Sequence, residues 1–104
     1  MHARVTTYEG PPERMEEGIR IYREEVIPWL RDSTGFRGWI ALLDHEASRA
    51  FSITFWATKE AMADEAATGS ALRDELAANI GATMIGLEEY EVAAAEALGL
   101  GETD

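Results

Sequence analysis

FRGWIALLDHEASRAFSITFWA, residues 36–57, contains two largely apolar segments separated by a short polar one. Residues 36–44 carry apolar side chains at both alternating sets of positions, which predicts a strand that is covered on both faces. Residues 49–57 alternate large apolar side chains with mostly polar ones, which predicts a second strand. The mostly polar residues 44–48 lie between the two strands. This spacing predicts an antiparallel hairpin at the centre of the chain.

A helix and a strand are predicted before the hairpin. Residues 2–8 alternate and are rich in Val, Thr and Tyr, which favours a strand. The helix that follows has apolar side chains at spacings of 4, 3, 4 and 3, which place them on one buried stripe. Pro28 lacks a backbone N–H, so a bend or a loosened last turn is expected there. Gly35 is a plausible cap at the end of this element. The stripe consists of Met15, Ile19, Tyr22, Val26 and Trp29.

A second helical region and a fourth strand are predicted after the hairpin. Thr58 is a good N-cap for a helix that begins at Glu60. The sequence Thr-Gly-Ser at residues 68–70 predicts a break, followed by a further helical piece that ends near Ile80. Residues 83–92 alternate and predict the last strand, whereas the alanine-rich acidic tail, residues 93–104, is expected to fray.

The order β-α-β-β-α-β defines the expected architecture. Right-handed connections turn this order into a four-stranded antiparallel sheet with both helices on one face, which is the ferredoxin-like α+β fold. Two helices cannot cover both faces of the strand at residues 36–44, so a second copy of the chain is the simplest cover. We therefore predict a homodimer that associates through the sheet face. The alternative is a monomer with a modest apolar patch.

Length and composition limit the classes of function. The chain has 104 residues, which fits a single domain over residues 1–104. It has 20 acidic and 9 basic residues, a net charge of −11, and no cysteine. Cysteine nucleophiles and thiolate metal sites are therefore excluded, and nucleic acid and anionic membranes are disfavoured as partners. The N-terminus has no apolar signal-peptide core, so a cytoplasmic protein is expected.

Two local patterns carry a resemblance to a known family. Residues 35–39, GFRGW, lead into the second strand. Residues 52–61, SITFWATKEA, run from a strand that ends in Trp through a polar cap into a helix. With the order of elements, these patterns resemble the antibiotic biosynthesis monooxygenase (ABM) domains of the dimeric α/β-barrel superfamily, over about residues 3–92.

The resemblance implies cofactor-independent oxygenation of a small phenolic or quinol-type aromatic substrate by O₂, as in some members of the family. Other members degrade haem with an Asn on the first strand, a His on the second helix and a Trp near that helix. Here the first strand has Thr6 and Thr7 but no Asn, and the second helical segment contains no Trp. His2 and His45 both lie outside that segment, so we favour oxygenation and expect no cofactor.

Three aromatic side chains are candidates for binding a small aromatic ligand. Trp56 is either one wall of a pocket or a core residue that anchors the second helix. Trp39 belongs either to the dimer core or to the pocket. Tyr22 lies on the buried stripe of the first helix, but its hydroxyl needs a partner and is a candidate contact for a substrate oxygen. His2 and His45 have no partner at helical spacing, so no metal site is predicted.

Charged residues on the strands leave two interpretations open. Arg4 and Arg37 are suited either to balancing a substrate anion or to pairing with nearby carboxylates. Glu88 and Glu89 point to opposite faces of the last strand, and one that faces inward could act as a base. No catalytic residue is assigned by these patterns. The alternative to an oxygenase is therefore a non-catalytic dimeric domain that binds a small apolar ligand or a protein partner.

Overall fold

The computed structural model describes residues 1–96. It has four strands, β1 (His2–Glu9), β2 (Phe36–Asp44), β3 (Arg49–Trp56) and β4 (Thr83–Glu91). The first helical layer consists of α1 (Pro12–Ile21), a π-helical turn (Tyr22–Val26) and α2 (Ile27–Arg31), and the second is α3 (Lys59–Asn79). The strands form one antiparallel sheet in the order β2-β3-β1-β4. The predicted ferredoxin-like α+β fold is confirmed.

The strand register assigns side chains to the two faces of the sheet. Arg4 pairs with Thr54, which in turn pairs with Trp39, and all three side chains lie on the face that the helices cover. Val5 pairs with Ile53, which pairs with Ile40, and these lie on the opposite face. No helix of the described chain packs on that opposite face, because both helical layers contact the first face. It therefore carries a row of apolar side chains across three neighbouring strands.

The core between sheet and helices is divided into two clusters. The first surrounds Trp56, which is completely buried and whose indole N–H donates to Thr54 Oγ1 at 3.0 Å. Its other buried members are Tyr22, Val26, Ile27, Leu30 and Met62. The second cluster contains Met15, Ala50, Ala77, Ile80 and Ala82. Tyr8 and Leu43 pack against the second cluster, so the two clusters flank the middle of the sheet.

The first helix differs from the predicted stripe at its C-terminal end. Trp29 was predicted to be buried but is 41% exposed, whereas Ile27 and Leu30 are buried. The π-helical turn explains the shift, because the N–H of Ile27 donates to the carbonyl of Tyr22, five residues earlier. The wider turn rotates the residues that follow it relative to an α-helix. The predicted irregularity near Pro28 therefore exists, but it lies before the proline.

The second helix is continuous, so the predicted break at residues 68–70 is wrong. Thr58 caps the helix as predicted, since its hydroxyl accepts the N–H of Ala61 at 3.1 Å. Gly69 is buried inside the helix, directly beneath the side chains of Glu65 and Arg73. The glycine is thus a packing residue rather than a helix terminator. Its cost in helix propensity is about 1 kcal/mol, which tertiary contacts override.

A backbone hydrogen bond joins the N-terminus to the residue that follows β4. The N–H of Val92 donates to the carbonyl of Met1 at 2.9 Å, which ties the end of β4 to the start of β1. Residues 93–96 form no regular element, and the rest of the tail that was expected to fray, residues 97–104, lies outside the described residues. Within residues 1–96, no helix is both long and apolar enough to cross a membrane.

Candidate functional site

A cavity lies between the helix-covered face of the sheet and the two helical layers. The cavity has a volume of about 60 Å³ and is partly open to solvent. The apolar part of its wall includes Met15, Ile19, Leu76 and Ile80. The wall is mostly apolar with a few polar groups, which is the composition typical of small-molecule sites.

One wall of the cavity is an aromatic stack. Tyr22, the first residue of the π-helical turn, stacks on Trp39 of β2 with ring centroids 5.1 Å apart and an interplanar angle of 24°. The indole N–H of Trp39 donates to Ser52 Oγ at 2.9 Å, which fixes the plane of the indole. Trp39 and Ser52 lie on the helix-covered face of neighbouring strands. The register of the hairpin therefore sets the position of this wall.

Among the described residues, the cavity wall has one charged side chain, that of Arg73 from α3. Its Nη1 forms an ion pair with Oε1 of Glu65, whose other oxygen lies 2.6 Å from Nη1 of Arg4. Arg4 Nε is 3.2 Å from Oε2 of Glu89 on β4. The side chains of Arg4 and Glu65 are almost fully buried, whereas Glu89 is partly exposed. We call Arg4, Glu65, Arg73 and Glu89 the ion chain.

Two tyrosine hydroxyls face this charge. Burial raises the pKa of Tyr22 to about 12, although the positive charge of Arg73 acts in the opposite direction. Burial likewise raises the pKa of Tyr8, again opposed by Arg73. Both phenols are therefore neutral at physiological pH. They can donate and accept hydrogen bonds at the cavity, but they are not poised to remove a proton.

The raised pKa of Tyr22 predicts a loss of stability at high pH. In the unfolded chain this phenol ionises near pH 10.0 and in the folded chain near 12. The stabilisation is complete below about pH 10 and is lost as pH rises towards 12, because only the unfolded state then loses its proton readily. We expect a decrease of about 2–3 kcal/mol in the free energy of unfolding, measured by urea denaturation across this interval. In Tyr22→Phe the decrease should be smaller, and an unchanged decrease would contradict the assignment.

The structure separates the three sequence candidates. Tyr22 and Trp39 lie together in the cavity wall, whereas Trp56 lies outside it, buried in the adjacent core cluster. Neither histidine of the chain lines the cavity, since His45 is exposed after β2 and His2 lies at the start of β1. The described wall therefore lacks the histidine on which the haem-degrading branch relies.

Sequence reasoning did not single out Tyr8, Ser52, Glu65 or Arg73. A signal for the last two was present, because Glu65, Gly69 and Arg73 follow each other at intervals of four residues and so lie on one helix face. The glycine in the middle leaves room for the two charged side chains to meet above it. Arg4 pairs with carboxylates, which is one of the two interpretations given above.

Solved structures with similar folds include proteins of three bacteria that are informative here. A protein of Deinococcus radiodurans assigned to the antibiotic biosynthesis monooxygenases aligns with a TM-score of 0.72 and 16% identity, covering 94% of this chain and 98% of that one. The haem degrader MhuD of Mycobacterium tuberculosis, solved with two haems in its active site, gives 0.69 and 25% identity, covering 93% and 100%. A monooxygenase from the ActVA-Orf6 gene of Streptomyces coelicolor, in complex with nanaomycin D, gives 0.62 and 14%, covering 92% of each chain. The chain therefore has the ABM-domain fold, and the resemblance seen in the sequence is confirmed.

Curated proteins with similar sequences include two from one bacterium. Two uncharacterised proteins of Mycobacterium tuberculosis, Rv2557 and Rv2558, are 33% and 32% identical to this chain over 94 and 93 residues. These matches cover 90% and 89% of this chain but only 42% and 39% of the relatives. The chain thus spans less than half of their length. No family model matches the sequence.

Proposed function

We propose that the protein is a cofactor-independent monooxygenase that oxidises a small phenolic or quinol-type substrate with O₂ in the cavity between sheet and helices. The observation that carries this proposal is the stacked pair Tyr22 and Trp39 beside a recess with few polar groups. A flat aromatic substrate packs well against such a wall. The ABM-type monooxygenases that share this fold support the choice of reaction.

The side chains supply orientation and a dry environment rather than a redox group. The electron-rich phenolic or quinol-type substrate gives electrons to O₂ directly. One oxygen atom enters the substrate as a carbonyl, and the other leaves as water with the two hydrogens that the substrate loses. The hydroxyls of Tyr22 and Ser52 are placed to contact substrate oxygens, and the apolar wall excludes bulk water. Trp39 holds the ring in position.

Oxygen uptake with a panel of quinols and polyphenols tests this function. We expect substrate-dependent uptake that falls at least tenfold in Trp39→Ala and about tenfold in Tyr22→Phe, because each variant removes a contact worth roughly 1–2 kcal/mol. The matched control is Trp29→Ala, since this indole lies exposed on the first helix and outside the cavity wall. Uptake that is equal in all variants, or absent with every compound, would contradict the proposal.

A homodimer through the open sheet face is part of this proposal. Val5, Ile40 and Ile53 form a row on that face, and Leu42 on β2 is 49% exposed. Burying about 800 Å² of such surface on each copy is typical of a stable association. Light scattering should give twice the chain mass of 11.5 kDa. A mass of one chain at micromolar concentration would contradict the dimer.

A second candidate function is ligand binding without catalysis. The described cavity wall contains no carboxylate and no histidine, and the tyrosines there stay protonated at neutral pH. A binding domain needs no general base, whereas an oxygenase acting on a neutral phenol must lose a proton somewhere. Binding of quinols with no oxygen uptake would favour this second function.

A further inference from the structure

The ion chain, which is formally neutral, places one of its cations, Arg73, in the cavity wall. Arg4 and Arg73 are two cations that share one buried carboxylate, Glu65. The fourth member, Glu89, is partly exposed, so its charge is partly screened by water. In the described structure, Arg73 forms a hydrogen bond only through Nη1, although a guanidinium has five N–H donors. Arg73 itself lines the mostly apolar cavity.

We propose that the cavity selects a singly charged anionic aromatic ligand, a phenolate or an aromatic carboxylate, which Arg73 binds through its remaining N–H donors. This inference rests on the proposed function and deepens it, because it names the ionisation state in which the substrate is held. A guanidinium in a mostly apolar wall is weakly screened and attracts an anion more strongly than it would in water.

Glu65, Arg4 and Gly69 act as positioning residues for this cation. The guanidinium of Arg73 reaches Glu65 across the helix by passing over Gly69. A methyl group on Gly69 would lie 2.5 Å from Oε1 of Glu65 and 2.9 Å from Nη1 of Arg73, so both charged groups would have to move. Arg4 holds the other oxygen of Glu65 and also donates to the carbonyl of Met62. Glu65, which Arg4 holds in place, and the close approach of Gly69 therefore fix the position of the Arg73 guanidinium.

The charged and titratable groups around the ligand come from three elements. Tyr8 from β1 and Tyr22 from the first helix are neutral phenols, whereas Arg73 and Glu65 from α3 form the ion pair. Asp74 on α3 acts on Tyr8 and is exposed to solvent. Ser52 and Trp39, from the hairpin, carry no charge. Burial raises the pKa of both tyrosines here and would do the same to a bound phenol, so a lowered pKa requires direct hydrogen bonds from Arg73 to the ligand oxygen.

Titration of bound 4-nitrophenol tests the selectivity without any turnover. Its phenolate absorbs visible light, so the fraction ionised on the protein is read directly. We expect the bound phenol to ionise about one to two pH units lower than in water, which corresponds to 10- to 100-fold tighter binding of the anion. The neutral methyl ether, 4-nitroanisole, should not show this tighter binding. Equal affinities for anion and ether would overturn the inference.

Variants of the ion chain complete the test. In Arg73→Met the lowering of the pKa of bound 4-nitrophenol should be lost, whereas Arg73→Lys should keep part of it. The matched control is Arg20→Met, which should keep all of it, because Arg20 forms an exposed i,i+4 pair with Glu24. Gly69→Ala should reduce the shift even though alanine favours helices, and Ser70→Ala is its matched control. A shift that survives Arg73→Met would overturn the inference. Oxygen uptake without a lowered pKa of the bound phenol would support the oxygenase proposal and overturn the anion selectivity. A lowered pKa without oxygen uptake would support the anion selectivity and contradict the oxygenase proposal.

Discussion

Replacing Glu65 by Gln is expected to destabilise the protein by about 3–5 kcal/mol, which is the usual cost of removing one partner from a buried ion pair. The carboxylate is almost fully buried and bridges Arg4 and Arg73. Without it, Arg73 loses its carboxylate partner, and Arg4 keeps only the partly exposed Glu89 among the pairs of the described chain. Urea denaturation at pH 7 measures the effect as a decrease in the free energy of unfolding.

The matched control for Glu65→Gln is Glu24→Gln. Glu24 pairs with Arg20 at 3.2 Å on the exposed face of the first helix. Such surface pairs contribute about 0–1 kcal/mol, so the control should be nearly as stable as the wild type. A loss below 1 kcal/mol in Glu65→Gln would contradict the buried ion chain.

A double variant separates stability from function. Replacing Arg4 by Met and Glu65 by Leu removes a cation and an anion together and fills their space with apolar groups. Substitutions of this kind are often neutral or stabilising, so the double variant should be less destabilised than Glu65→Gln alone. It should nevertheless lose the lowered ionisation of bound 4-nitrophenol, because Arg73 is no longer held. Less destabilisation together with loss of the lowered ionisation would show that the ion chain positions Arg73 rather than stabilises the fold.

Local patterns in the sequence predict most of this fold. The bounds of β2, Phe36–Asp44, match the prediction, because two strands joined by a polar turn depend on residues that are close in sequence. The phase of the first helix could not be predicted beyond Tyr22. A π-helical turn moves Trp29 outward and Leu30 inward, and tertiary packing selects this turn. Gly69 was misread for a similar reason, since its role depends on two side chains that meet above it.

The site was predictable only where a single element carries the information. Tyr22 and Trp39 stood out as aromatic residues on elements with a buried face, and their role in binding a ligand stays a prediction. Arg73 did not stand out, because its importance comes from Glu65 and from a cavity that three strands and two helical layers build together. A site to which several elements contribute depends on strand register and helix packing, and neither can be predicted from a single segment of the sequence.

Replacing Trp56 by Ala is expected to cost about 3–5 kcal/mol of stability, the range found for truncating large buried aromatic residues. The indole is completely buried, and its ring meets Phe36 edge to face with centroids 5.4 Å apart. Its N–H donates to the buried hydroxyl of Thr54. Truncation leaves a large void between β3 and the first helix, and thermal or urea unfolding measures the loss.

Trp56→Phe distinguishes a core role from a role in ligand binding. The smaller ring keeps much of the packing, so we expect a smaller loss of stability and an unchanged affinity for 4-nitrophenol. Trp39→Phe is the matched comparison, because Trp39 lies in the cavity wall and donates to Ser52. That substitution should weaken ligand binding more than it lowers stability. If Trp56→Phe instead weakens 4-nitrophenol binding tenfold with little change in stability, Trp56 would belong to the binding site, and the cavity would have to extend beyond the wall formed by Tyr22 and Trp39.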